Sequence, residues 1–346
     1  MEVTPEGLSH VRGPWEPAGR TLGPMDILIL GGTAMLGYAV ARIAHADGHA
    51  VTCYARGTST PPPGVPLVQG DRDDDDGLRS LATRTWDAVI DVARHPGQVR
   101  RATRDLSATH WVYVSSASVY EIFDRTGQDE SAPTLPPLST DVMADLSEYG
   151  PAKVACENVI REQVTSSTIV RAGLIGGYGD WSGRSGYYPW RLAHPTGPDV
   201  LVPPDLTFPT SLIDVEDLAR WLLTCAIQRI SGTFNASGPI HELGEVLAAS
   251  RAVAQSEAKI RPVPQAVLER AGVSAWMGPA SLPLWVDDPA WRHFATMDTS
   301  AAREHGLAAR ALPETLAAAL DYERHRQGPR HAGLTDEEER ALRALL

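Results

Sequence analysis

Ile27, Leu28, Ile29 and Leu30 form an unbroken apolar run after Met25-Asp26. Such a run is the pattern of a strand buried on both faces. Gly31-Gly32-Thr33 breaks it, and from residue 35 to 47 Leu36, Val40, Ile43 and Ala44 recur at helical spacing until Asp47-Gly48 stops them. His49 to Tyr54 reads as a second strand, which completes one βαβ unit. The alternation continues with strands over 65–68, 86–92, 110–115 and 167–171 and helices over 78–83, 97–107 and 148–164. Residues 122–141, rich in Pro, Ser, Thr and Asp, read as a loop. Strands alternating with helices predict an α/β chain with a doubly wound parallel sheet.

After Arg171 the pattern loosens. Residues 173–186 are Gly-rich, 214–227 predict a helix, 233–235 a short strand, and 330–346 a terminal helix capped at Thr335. The expected organisation is therefore a doubly wound α/β domain over 25–175 and a smaller, mainly α+β domain over 176–346. Part of 205–235 returns to the first sheet, and residues 1–24 form a flexible extension.

Composition narrows the function. Of 346 residues, 43% are apolar and 21% charged, as in an ordinary globular chain. The net charge of -12 repels phosphate backbones, so no nucleic-acid partner is expected. Cys53, Cys156 and Cys225 give neither a disulfide framework nor a metal-binding set, and no metal site is predicted. Residues 1–24 carry four prolines and no apolar core of a targeting signal, and no window holds eighteen uninterrupted apolar residues. A cytoplasmic protein without membrane contact is expected. Of the 31 basic residues only Lys153 and Lys259 are lysine. A surviving lysine is therefore a candidate for a site where guanidinium cannot serve.

Four segments carry chemistry. Gly31-Gly32-Thr33-Ala34-Met35-Leu36-Gly37 stands between a strand and a helix, where backbone N–H groups and the helix dipole cradle a diphosphate. At the end of the second strand, where an NAD-specific site places an acid for the ribose 2′-hydroxyl, this chain has Ala55, and Arg56 follows. An arginine without a competing carboxylate favours a 2′-phosphate, so NADP(H) is expected over NAD(H). Tyr149 and Lys153 share a helix face at i and i+4. A tyrosine titrates near pH 10, and an adjacent ammonium stabilises its phenolate. By chance this spacing arises in about one such chain in twenty. Finally, Ser115, Ser116 and Ser118 stand at the end of a strand, where ligands bind in parallel sheets. Against these, the acidic run Asp71–Asp76 reads as a solvated turn rather than a calcium loop.

On these segments the chain resembles an extended short-chain dehydrogenase/reductase of the NAD-dependent epimerase/dehydratase superfamily. Gly70-Asp71, the Ser116–Tyr120 spacing, Val170-Arg171 and Asp214-Val215-Glu216-Asp217-Leu218-Ala219 extend the likeness over nearly the whole chain. The Gly-Gly-Thr loop and Ala55-Arg56-Gly57 look most like an atypical, bacterial reductase-like branch. The resemblance implies Ser116, Tyr149 and Lys153 as catalytic residues. Tyr149 exchanges a proton with the substrate oxygen, Lys153 holds the nicotinamide ribose, and Ser116 orients the carbonyl. It further implies a Rossmann-type NADP-binding domain over 25–175 with a substrate domain after it, Asp71 at the adenine, Val92 and Ala93 along the nicotinamide ribose, and Arg72 and Ser115 as further cofactor contacts, with dimerisation through the helix of Tyr149 and the helix near 97–107. Sugar-nucleotide members usually carry Asn where Leu174 stands and a diphosphate-binding Arg near Phe208-Pro209-Thr210-Ser211, and dehydratases an acid at Ala117-Ser118. These departures argue against a nucleotide-sugar substrate and against 4,6-dehydration.

The expected activity is hydride transfer between a nicotinamide and a carbonyl or alcohol of a small, natural-product-like substrate. Ser118, Tyr178, Trp181 and Tyr187 are the expected substrate contacts, the aromatic group forming either a lid or a second core. The alternatives are a sugar or cyclitol epimerase holding NAD(P), and a non-catalytic dinucleotide- or RNA-binding scaffold on the same fold.

Overall fold

The computed structural model describes residues 23–346, so the extension expected over 1–24 lies outside the described residues but for its last two. Seven strands pair in parallel: β1 (Asp26–Leu30), β2 (Ala50–Ala55), β3 (Leu67–Gln69), β4 (Thr85–Asp91), β5 (Ser107–Ser116), β6 (Ser167–Ala172) and β7 (Gly232–Ala236). Their order across the sheet is β7-β6-β5-β4-β1-β2-β3. The helices are α1 (Met35–Ala46), α2 (Pro96–Asp105), α3 (Tyr149–Gln163), α4 (Tyr187–Ala193), α5 (Val215–Gln228), α6 (Leu243–Val253), α7 (Gln265–Ala271), α8 (Ser300–Glu304), α9 (Leu312–Arg324) and α10 (Asp336–Arg343).

The pleat divides the apolar run of β1 between two cores. Ile27 and Ile29 pack with Val40 and Ile43 of α1 and Leu218 and Leu222 of α5. Leu28 and Leu30 pack with Val99 of α2 and Ile160 of α3 on the other face. Helices on both faces explain why the strand shows no polar alternation. A third core joins Tyr187, Tyr188, Val200, Leu201, Val202, Leu243, Leu247, Leu268 and Leu316 in the C-terminal region.

The chain builds β1 to β3 outward, then returns to the opposite side of β1 to lay down β4. Such a reversal opens a crevice beyond the carboxyl ends of the two strands. The segments after β1, β4 and β5 all end there, and they are the segments singled out for chemistry.

Two elements differ from expectation. The helix expected over 78–83 is a single 3₁₀ turn, Arg79–Leu81. The acidic run before it folds into short Asx turns, Asp71 accepting from the Asp73 N–H and Asp74 from the Asp76 N–H, which leaves few residues for a helix. The third strand begins at Leu67 rather than Val65, because Pro66 has no N–H for the ladder. At the far end, Thr335 caps α10 as expected, its hydroxyl accepting from the Glu338 N–H while the Glu338 carboxylate accepts from the Thr335 N–H.

Candidate functional site

The Gly loop turns directly off β1. Gly31 has φ +99°, and a Cβ there would lie 2.5 Å from Val92 Cγ2, so only glycine lets the end of β1 lie against the end of β4. At Gly37 a Cβ would meet the Gly31 carbonyl oxygen at 2.2 Å, so glycine lets α1 start immediately over the turn. Ala34 occupies the N-cap and offers no side-chain cap. The first intrahelical bond is Tyr38 N–H to Ala34 O at 2.9 Å, which leaves the N–H groups of Met35, Leu36 and Gly37 facing the crevice. An uncapped helix start behind a tight glycine turn fits a diphosphate.

Around this turn lies a cleft of about 550 Å³, lined by Thr33, Met35, Ser59, Tyr178, Trp181 and Tyr322 among others. Arg56 is exposed after β2; its carbonyl accepts from Gln69 Nε2 at 2.9 Å, and its guanidinium has no ionic partner among the described residues. Asp71 is exposed, at the end of β3.

Arg72 is placed differently from the expected cofactor contact. It is buried and donates to both carboxylate oxygens of Asp91, at 2.6 and 2.8 Å, and to Gln98 O at 2.9 Å. A carboxylate as fully buried as Asp91 needs such a partner. The pair serves the site indirectly, because Asp91 also accepts from the Ala93 N–H at 2.8 Å and so fixes Val92-Ala93.

The three expected catalytic residues converge on the carboxyl end of β5. Ser116 ends the strand, its hydroxyl 3.1 Å from both the N–H and the hydroxyl of Ser118. The first turn of α3 packs on the short turn Ala117–Val119, which brings the half-buried ring of Tyr149 to this edge. The Tyr149 hydroxyl bonds no protein group among the described residues. Lys153 is buried below it, with Nζ 5.9 Å from the Tyr149 ring centroid. Its ammonium donates to Ala93 O at 2.6 Å, Val114 O at 2.7 Å and Tyr113 Oη at 3.2 Å. Burial holds the Tyr113 phenol well above its ordinary range, so it stays neutral. Lys153 thus ties the ends of β4 and β5 together, beside the expected ribose wall rather than against the Tyr149 hydroxyl.

Two further expectations are corrected. Ser115 turns its hydroxyl away from the crevice, donating to Glu157 Oε1 at 2.6 Å, because the pleat sends successive side chains to opposite faces. Tyr187 is fully buried in the C-terminal core, with its ring 5.0 Å from that of Tyr188, and does not face the cleft. The aromatic group divides. Tyr187 and Tyr188 are core, whereas Tyr178 and Trp181, 52% and 54% exposed, stand at the cleft. Tyr178 meets Tyr322 edge-on at 5.4 Å, and Arg326 donates to the carbonyls of Asp180 and Trp181, which anchors this loop to the end of α9.

Sequence reasoning missed three contributors. Asp91 falls inside the strand expected over 86–92, with no motif to mark it. Glu157 pairs with Arg171 at 2.9 Å beneath the site, held below its ordinary range by Arg171 against the upward push of burial. Arg184, on the loop after β6, lies over the Trp276 ring at 4.7 Å, one arginine among many in this chain.

Residues 27–110 match the model of the NAD dependent epimerase/dehydratase family. No curated protein matches the chain in sequence. Among solved structures, a candidate epimerase of Burkholderia cenocepacia is similar at 21% identity and TM-score 0.66, over 88% of this chain and 99% of that one. The UDP-Glc/GlcNAc 4-epimerase of Campylobacter jejuni is similar at 16% and 0.64, over 87% and 99%. The enzyme WbmH of Bordetella bronchiseptica, solved with NAD+, is similar at 18% and 0.63, over 87% and 98%. Residues 27–110 thus match the model of that family, and the solved structures share the fold of the described residues.

Proposed function

We propose that this chain is an NADP(H)-dependent oxidoreductase that moves a hydride between the nicotinamide and the carbonyl or alcohol carbon of a small, natural-product-like substrate. The observation that carries the reading is the Tyr149 phenol, half-buried, free of protein hydrogen bonds among the described residues, and set at the strand edge where Ser116 and Ser118 present hydroxyls above the Lys153 ammonium. A bound nicotinamide dinucleotide supplies or accepts the hydride. The open N–H groups of α1 hold its diphosphate, Arg56 meets a 2′-phosphate, and Asp71 borders the adenine. Val92 and Ala93 wall the nicotinamide ribose, and Lys153 fixes that wall through the Ala93 carbonyl. Ser116 donates to the substrate carbonyl oxygen, and Tyr149 passes its proton to that oxygen as the carbon is reduced, or receives it back when an alcohol is oxidised.

The competing reading is an epimerase that oxidises and re-reduces one carbon with no net cofactor turnover. It is favoured by the similar solved structures, two of which are described as epimerases of one kind or another. Titration with NADPH and NADH, followed by fluorescence transfer, separates the two. Tight NADPH binding that weakens in Arg56→Ala, with NADPH consumption by carbonyl compounds lost in Tyr149→Phe, supports the reductase. Equal affinities, or purification with NAD already bound, move the reading to the epimerase. Binding of neither dinucleotide leaves the scaffold reading in front.

A further inference from the structure

The loop after β6 is built around one carboxylate. Asp180 accepts five hydrogen bonds from its own loop: from Ser182 N–H at 3.0 Å, Ser182 hydroxyl at 2.5 Å, Gly183 N–H at 3.3 Å, Ser185 N–H at 2.9 Å and Ser185 hydroxyl at 2.7 Å. With those contacts made, Asp180 is oriented into its own turn. The Ser182 hydroxyl in turn accepts from Arg184 Nε at 3.1 Å, which fixes the direction of that side chain.

Arg184 is half-buried. Its guanidinium carbon lies 4.7 Å over the ring of Trp276, which packs edge-on against Phe294 at 4.8 Å. Trp276 holds φ +68°, a conformation a bulky side chain rarely adopts, and its N–H is fixed to Leu282 O at 3.1 Å. The two terminal amino groups of Arg184 have no hydrogen-bond or ion-pair partner among the described residues. Burial pulls this guanidinium below the ordinary arginine range, while Asp180 and then Tyr149 push it back up. Phe294, on which Trp276 rests, packs against the cluster of Ala117 and Val119 next to Ser116 and Ser118, which sets the stack beside the proposed site. An arginine fixed by a hydroxyl and an aromatic plane, with its outer fork open, is preorganised for a planar anion.

We propose that Arg184 binds a carboxylate of the substrate, in a fork of its two terminal amino groups with Trp276 beneath. The proposal rests on the oxidoreductase reading of the same site and adds the substrate class: a carbonyl or alcohol compound that also carries a carboxylate. A planar monoanion matches one guanidinium better than a phosphate ester, whose greater charge calls for more than one cation. Lys153 has its three donors on protein oxygens, and Arg330 is paired with Glu323, so neither is free to help.

The test titrates benzoate, benzamide and phenyl phosphate into the full chain by calorimetry, with and without saturating NADPH. Benzoate is expected to bind at least about tenfold more tightly than benzamide, as a charge-assisted fork requires. That preference should vanish in Arg184→Gln and survive in part in Arg184→Lys. Equal binding of benzoate and benzamide, no binding of either, or an undiminished preference in Arg184→Gln overturns the proposal; tighter binding of phenyl phosphate overturns the carboxylate assignment. If Arg184→Gln does not fold, the wild-type comparison and Arg184→Lys decide. A carboxylate preference without NADPH binding would sink the oxidoreductase reading alone, and NADPH binding without the preference would sink this one alone.

Discussion

His110 makes acid stability a direct probe of the sheet. It is fully buried in β5 between Ser166, 2.8 Å from Nδ1, and Thr168, 2.8 Å from Nε2. Thr168 gives its own hydroxyl proton to the Ile230 carbonyl, so it can only accept from the ring. The imidazole therefore carries its proton on Nε2, and Nδ1 accepts from Ser166. Both nitrogens are satisfied in the neutral form. Burial, seconded by the charge of Arg229, lowers the ring from 6.5 to about 4. A lowered value means that between pH 6.5 and about 4 the unfolded chain binds a proton that the folded chain refuses. The contribution is complete above the unfolded value and is lost as the pH falls through that window. Integration gives a loss of about 2 kcal/mol between about pH 7.5 and about pH 5 from this one residue. Urea denaturation of the native chain and of His110→Gln at both pH values isolates the term, because every other titrating group is common to the two. The native chain should lose about 2 kcal/mol more than the variant over that interval, whatever the variant's stability at neutral pH. Parallel losses in the two proteins, or a ring that titrates near its ordinary value in a proton NMR titration, would refute the reasoning.

Three other perturbations have expected outcomes. Gly37→Ala places a methyl 2.2 Å from the Gly31 carbonyl oxygen, so the turn must open; dinucleotide affinity should fall by about tenfold or more in a fluorescence titration, while far-UV circular dichroism keeps its native form. Glu157→Gln leaves the Arg171 guanidinium buried without its counter-charge and should cost about 3–5 kcal/mol in urea denaturation, with the loss shrinking in acid as native Glu157 itself protonates. Thr335→Ala removes the reciprocal cap of α10 and should lower stability by about 1 kcal/mol, a small drop in melting temperature that leaves cofactor titrations untouched.

Features fixed by neighbours in sequence were legible; those fixed by the pleat or by distant partners were not. The β1 run, the Gly31–Gly37 turn and the i, i+4 pair of Tyr149 and Lys153 are local patterns, and each has a local physical cause. Ser115 and Ser116 show the first limit. The two are identical in type, and only the phase of β5 decides that one hydroxyl meets Glu157 and the other the crevice. Arg72 shows the second: it was expected as a cofactor contact because its partner, Asp91, stands on a different strand. Tyr187 and Trp181 show the third, since an aromatic-rich segment reads alike whether it builds a core or a cleft wall. Arg184 was hidden by composition. In a chain that uses arginine almost everywhere, one arginine carries little signal until its free fork and its stacking on Trp276 are seen.

These long-range pairs share a purpose that the local motifs cannot meet. The crevice is made of strand ends and loops, the parts of a parallel sheet with the fewest ladder hydrogen bonds. Arg72 with Asp91 secures the end of β4, and Glu157 with Arg171 and Ser115 secures β5 and β6 against α3. Lys153 bridges β4 and β5 between them. Each is a buried charge whose removal leaves its partner unpaired, so each is costly to lose although its net gain over an apolar pair is small. That asymmetry suits the proposed activity, which would need a proton donor and a hydride acceptor held in register, because it opposes local displacement more strongly than it raises total stability. The same argument separates Arg184 from the rest. It is a half-buried cation whose outer donors are unspent among the described residues, and its fixed direction prepares it for an anion.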